Sequence, residues 1–206
     1  MLDLIKIRKE LHSKPELSGK EVNTVEFIKN IIQEFNPDKL LELAGSLIVV
    51  FKGSKKGKNM AFRADIDALP IQELNSFEYA SKTKNTAHLC GHDGHAAILL
   101  GLAEKLSQNK PKEGSIVLIF QSAEETGQGV KALMINKVFL DLQINEIYGI
   151  HNIPGFELGK LLLNAGTFSN ASTGMDHPVL HDPNYDFPDE IIDKAINLLY
   201  IYSIKK

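Results

Sequence analysis

Eight consecutive residues, His88-Leu89-Cys90-Gly91-His92-Asp93-Gly94-His95, hold five side chains able to bind a metal or move a proton, and Cys90 is the only cysteine of the chain. A thiolate beside imidazoles suits zinc or a similar first-row divalent cation. Cys90 and His92 stand too close in sequence to share one helix face. They therefore need an irregular backbone, which Gly91 and Gly94 permit. Other candidates come just after apolar runs. Asp65 and Asp67 close MAFRADID, Glu124 and Glu125 follow SIVLIFQSA, and His151 ends EIYGIH; His181 comes later. Cys90, His92, Glu125, His151 and His181 exceed the four ligands of one structural zinc site. Two ions sharing bridging groups fit better. Glu125 as a ligand would leave Glu124 free as general base on an activated water.

Each residue has an ordinary alternative. Cys90 alone is a small buried hydrophobe. The Glu124-Glu125 pair alone is a solvated loop or helix start, and Asp67 before Ala-Leu-Pro shapes a turn. His92, His95 and His151 each pass as structural. What favours chemistry is that several separate segments deliver a consistent ligand set.

The elements that must position these residues are legible as periodicity. Residues 2–12 read as a helix with Leu4, Ile7, Arg8 and Leu11 along one side. A second helix over about 20–35 follows, with Ser18 as a candidate cap and an apolar stripe through Val25, Ile28 and Ile32. SLIVVFKG (46–53) and SIVLIFQS (115–122) are continuous apolar runs that suit strands buried on both faces. NMAFRADIDALP (59–70), EIYGIHN (146–152) and GKLLLNAG (159–166) add three more strands. Helices are expected after Gly94, near 128–136 and over 188–202, with a long loop at 71–88. Alternating strands and helices predict an α/β fold, a mostly parallel mixed sheet between helices. In such sheets, sites gather outside the carboxyl ends of the strands.

The composition, 43% hydrophobic and 24% charged, is that of an ordinary globular chain with one sizeable core. A net charge of −3 and a pI near 6.2 give no basic field for nucleic acid. No apolar run approaches the ~18 residues of a membrane span. MLDLIKIRKELH is charged throughout, unlike a signal peptide, and a lone cysteine forms no internal disulfide. The expected location is cytoplasmic. Arg8 and Arg63 are the only arginines among 23 basic residues, which reads first as a general preference for lysine; it singles out Arg63, since an arginine retained in so lysine-rich a chain suggests a use for its planar fork.

FRADIDALPIQE, LCGHDGHAAILLGLA, IFQSAEETGQGVKALM, GIHNIPGFELGKL and LHDPNYDFPDE resemble the amidohydrolase branch of the dinuclear-metal aminoacylase and carboxypeptidase superfamily. That branch includes hippurate hydrolases, N-acyl-amino-acid amidohydrolases and auxin-conjugate hydrolases. The resemblance covers residues 1 to about 170 and 177–193. It implies a zinc-peptidase-like catalytic domain and two divalent ions, zinc, manganese or similar. Their ligands would be Cys90, His92, Glu125, His151 and His181, with Cys90 bridging. Glu124 matches the general base, and Asp67 the acid that orients a ligand. Asp65 stands where the wider superfamily has a histidine, and Arg63 would brace these carboxylates. The implied substrate is a small N-acyl amino acid or peptide, with no nucleic acid or membrane partner.

The family's lid and dimerisation domain would be inserted in the short segment 169–180. SNASTGMDH instead runs almost directly into VLHDPNYDF, so residues 1–206 are expected to form a single, truncated catalytic domain. Two functions follow: a metal-dependent amidohydrolase, or a metal-binding remnant without useful turnover. An uncovered sheet edge would favour self-association. His181, brought back on a short tether, is expected to be the least well placed ligand.

Overall fold

The computed structural model describes residues 1–155, 161–164, 168–172 and 177–204. Two helices open the chain, α1 (Leu4–Ser13) and α2 (Val22–Gln33). Asp3 caps α1 by accepting the Lys6 amide at 3.0 Å. Ser18 does not cap α2: its hydroxyl donates instead to Asp67 Oδ2 at 2.7 Å, and α2 starts without a side-chain cap.

Seven strands form one mixed sheet: β1 (Lys39–Leu43), β2 (Ser46–Lys52), β3 (Lys55–Asp65), β4 (Glu113–Gln121), β5 (Glu146–Ile153), β6 (Leu161–Asn164) and β7 (Phe168–Ser172). Their order is β1-β2-β4-β3-β5-β7-β6. The middle run β4-β3-β5-β7 is parallel, and β1, β2 and β6 are attached antiparallel at the two sides. Four helices complete the chain: α3 (His92–Gln108), α4 (Gln128–Met134), α5 (Lys137–Leu140) and, after a short 3-10 turn at Asp189–Ile191, α6 (Ile192–Ile204). Among the described residues no helix is long and apolar enough to cross a membrane.

Alternation along the central strands builds two cores. Leu47, Val49, Phe51, Phe62, Leu118 and Phe120 face α1, α2, α3 and α6, whereas Ile48, Val50, Ala61, Val117 and Ile119 face Leu133, Leu142 and Phe139 from the α4–α5 side. A sheet covered on both faces explains why β2 and β4 read as unbroken apolar runs. α3 is buried along most of its length, so an amphipathic stripe is absent for the same reason.

Several boundaries differ from the sequence reading. β3 begins at Lys55, in an exposed lysine-rich stretch, and ends at Asp65 rather than at Pro70. β1, α5 and β7 carry no clear apolar pattern in the sequence; β1 is a half-exposed edge with Lys39 and Glu42 outermost. The strand expected over 159–166 is found as β6, its outer residues lying outside the described ones. Residues 173–176 of the 169–180 segment also lie outside them. The single-domain reading with the insertion point at 169–180 remains a proposal.

Candidate metal centre

The carboxyl ends of β3, β4 and β5 point to the same end of the sheet, where the N-terminus of α3 also arrives. β3 ends at Asp65 and leads to Asp67; β4 leads to Glu124 and Glu125; His151 lies near the end of β5. Gly91 precedes α3 with φ +87°, and a Cβ there would run into Asn152 and Phe187. That left-handed step turns Cys90 and His92 toward one point. Gly94 does not serve this irregular turn, because it lies inside α3. It is small because the Phe187 ring packs against its Cα.

At that point four sets of ligand atoms lie within 4.8 Å of one another: Cys90, His92 and His151; Cys90, Glu125 and His181; His92, Glu124 and Glu125; and Asp65, His92 and His95. Cys90 Sγ is 3.5 Å from His151 Nε2. Glu125 Oε1 is 3.7 Å from both His92 Nε2 and His181 Nε2. His92 Nε2 and Glu125 Oε1 are both buried and without a hydrogen-bond partner. Two such atoms aimed at each other, beside a thiol and two further imidazoles, fit a divalent cation: buried polar groups need a partner. This donor set of sulfur, nitrogen and carboxylate oxygen suits zinc-like metals.

The five sequence candidates thus come together, Cys90 and Glu125 each in two of the groups and His92 in three. His181 joins through Cys90 and Glu125, closer than its short tether suggested. Its backbone amide donates to Leu89 O at 2.8 Å, and its φ is +69°. Its side chain is nevertheless 46% exposed, against 0% for His92 and 19% for Glu125.

Asp67 organises the centre rather than facing it. Its Oδ1 lies 3.1 Å and its backbone carbonyl 2.9 Å from His92 Nδ1, while Oδ2 accepts from Ser18 and from the Glu125 amide at 3.0 Å. This fixes His92 with Nε2 inward. Burial pushes the Asp67 carboxyl up, but bonds from His92, Ser18 and Glu125 outweigh it and hold the group below its usual value. Burial disfavours the His92 imidazolium too, yet Asp67, Cys90 and Asp65 together raise its affinity for a proton well above normal. Burial raises the Cys90 thiol. Asp65 is pushed up to about 6 by burial, against the pull of His92 and Arg63. Arg63 pairs with Asp65, as expected, and its second carboxylate partner is Glu124 at 3.4 Å rather than Asp67.

Some contributors have no local signal in the sequence. Ala123, before the Glu124-Glu125 pair, has φ +49°, a left-handed backbone costly for a residue with Cβ. Glu21 from the start of α2 holds it by accepting the Ala123 amide at 2.6 Å. Asn152 contacts His95 and donates to the Tyr185 hydroxyl, tying the strand of His151 to the segment of His181. Arg8 and His12 of α1 are fully buried and reach Asp93, the neighbour of His92. Their presence in a lysine-rich helix start was the one available hint.

Residues 61–199 match the model of peptidase family M20/M25/M40. The N-acetyldiaminopimelate deacetylase of Pediococcus pentosaceus is 35% identical over 84% of this chain and 46% of its own length. The N-acetyl-L-cysteine deacetylase of Bacillus subtilis is 42% identical over 79% of this chain and 39% of its own. The chain spans less than half the length of these relatives. A dinuclear metal-binding peptidase of the same family from Bacillus subtilis superposes with a TM-score of 0.70 at 36% identity, over 78% of this chain and 45% of that one. An aminopeptidase from Desulfurococcus kamchatkensis, 11% identical, superposes with a TM-score of 0.73 over 98% of this chain and shares the fold alone.

Proposed function

From membership of peptidase family M20/M25/M40, to which this chain belongs, we propose that it hydrolyses the amide bond of small N-acyl amino acids or peptides. Two divalent ions, zinc, manganese or similar, would be held by Cys90, His92, Glu125, His151 and His181. The observation that carries the reading is the inward convergence of these atoms, above all the unpartnered His92 Nε2 and Glu125 Oε1 at 3.7 Å. When bound, such ions supply Lewis acidity, which acidifies water and stabilises charge developing on the carbonyl oxygen.

The chain's own residues divide the remaining work. Glu124 lies in one group with His92 and Glu125 but is no member of the five-ligand set. It takes a proton from the attacking water as the oxygen–carbon bond forms. It returns that proton to the amide nitrogen as the carbon–nitrogen bond breaks. Arg63 sets a positive charge 3.4 Å from the Glu124 carboxylate. Asp67 keeps His92 in the tautomer that presents Nε2. The substrate class rests on the two deacetylase relatives, each named for an N-acetylated amino acid.

A second reading, metal binding without useful turnover, is favoured by one observation: the match leaves more than half of those relatives' length uncovered. Losing one donor to the developing oxyanion typically costs about 10²–10³ in turnover. The test is an assay of metal-loaded protein on hippurate and acetylated amino acids, beside Glu124→Gln. Hydrolysis by the unaltered chain alone supports the enzyme. Metal uptake with no hydrolysis by either supports the second reading.

A further inference from the structure

α1 contributes nothing to the chemistry just described, yet its Arg8 side chain is fully buried and touches both sides of the centre. Its Nη1 lies 3.1 Å from Asp93 Oδ2 and 2.8 Å from Asp186 Oδ1, and its Nε 2.5 Å from Asp189 Oδ1. Asp93 directly follows His92 in the first turn of α3. Asp186 and Asp189 belong to the segment that carries His181 and runs on into α6.

We propose that Arg8 is a positioning residue that holds the His181 arm against the Cys90–His92 turn. The proposal rests on the reading that these residues bind divalent ions. No strand or helix carries His181; it sits in a turn-rich stretch between β7 and the 3-10 turn. Such a stretch is placed by its side contacts. The Leu74 amide donates to Pro183 O, Asn75 to Tyr185 O, and Asn152 to the Tyr185 hydroxyl. Among the described residues, only Arg8 binds this arm and the residue beside His92 with the same group. Two nitrogens of one planar side chain serve three carboxylates, Nη1 reaching Asp93 and Asp186 and Nε lying against Asp189; an ammonium offers the charge from a single nitrogen. Tyr79 completes the fit, its ring lying 5.1 Å from the Arg8 guanidinium carbon and its hydroxyl donating to Asp186. A merely structural Arg8 would neutralise buried acids, and lysine would replace it with little effect on the site.

The test compares Arg8→Lys, His181→Ala and the double variant with the unaltered full chain, using Co²⁺ as the probe. The readouts are Co²⁺ stoichiometry and visible spectrum, and hydrogen exchange of the His181 amide in metal-free protein. Arg8→Lys is expected to keep one Co²⁺ and to weaken the second about 10–100-fold, the usual effect of removing a group that orients a ligand. Its spectrum should shift to that of His181→Ala, and the double variant should be no worse than His181→Ala alone. The His181 amide should exchange at least about tenfold faster while the α3 amides stay slow. A second-ion affinity within about twofold of the unaltered chain together with unchanged His181 exchange would overturn the proposal, as would additive losses in the double variant. Should Arg8→Lys fail to fold, Asp186→Asn weakens one of the two legs on the His181 arm, Asp189 being the other, and leaves Arg8 and Asp93 unaltered. It is expected to show the same two changes, and their absence would overturn the proposal equally. If the unaltered chain binds no Co²⁺, the functional reading fails, and the exchange measurement still decides the role of Arg8.

Discussion

At the scale of residues, the centre divides into side chains that announce themselves and side chains that do not. Glu125 and His151 were legible because chemistry-bearing types followed apolar runs, which end at one edge of an α/β sheet, and Cys90 and His92 because ligand types crowd around glycines. Asn152, Tyr185 and Glu21 were not, because each acts on a partner far away in sequence: Asn152 on His95 and Tyr185, Glu21 on Ala123. Asp67 was legible as an acid but not as the hub between Ser18, His92 and the Glu125 amide. Asp67→Asn should therefore lower metal affinity about 10–100-fold without removing a ligand; titration with a competing chelator measures it, and unchanged affinity would show that His92 needs no such support. Glu124→Gln should leave metal content intact and cut any hydrolysis by about 10²–10⁴. Equal turnover in that variant would transfer the base role to another group.

Elements differ in how much of them a sequence shows. β2 and β4, buried on both faces, read as plain apolar runs. β1 escaped notice because an edge strand with Lys39 and Glu42 outermost needs few apolar residues. α1 was visible as a helix with Arg8 beside Leu4, Ile7 and Leu11, but the work of its buried polar groups was not, since the partners of Arg8 and His12 lie far away in sequence at Asp93, Asp186, Asp189 and Glu73. His12 Nδ1 lies 2.9 Å from Asp93 Oδ2 and its Nε2 3.1 Å from Glu73 Oε1, with the His88 ring nearby and Arg8 on the same carboxylate. Burial lowers the His12 pKa, but Asp93 and Glu73 more than offset it and raise the value from 6.5 to about 9. A raised folded-state pKa gives stability that is fully present below about 6.5 and lost as pH rises through 9. That contribution is of order 3 kcal/mol at most, at ~1.4 kcal/mol per unit. The stability advantage of the unaltered chain over His12→Gln should shrink between pH 6.5 and 9 in denaturant unfolding. A constant difference across that range would mean His12 is neutral in the fold.

The molecule as a whole is a three-layer sheet whose two outer strands are β1 and β6. β1 carries charge at its rim, whereas the β6 sequence, Leu161-Leu162-Leu163-Asn164, carries none. Strand edges of that composition favour pairing with another copy. Sedimentation should therefore show concentration-dependent association that Leu162→Lys with Leu163→Lys weakens; a monomer at all concentrations would dismiss this edge as an interface. The fold class was readable from the alternation of elements, and the reach of the family likeness from motifs in order. The antiparallel flanks of the sheet were not, because pairing direction is decided by connections rather than by strand composition. What the whole chain must do, on this account, is hold two ions at one sheet end with five ligands from four separate segments. Elemental analysis after loading with zinc or cobalt and removal of excess tests this most directly. The expected result is close to two ions per chain, with at least one lost in Cys90→Ala, the residue proposed to bridge them. No retained metal, or the same ratio in that variant, would contradict it.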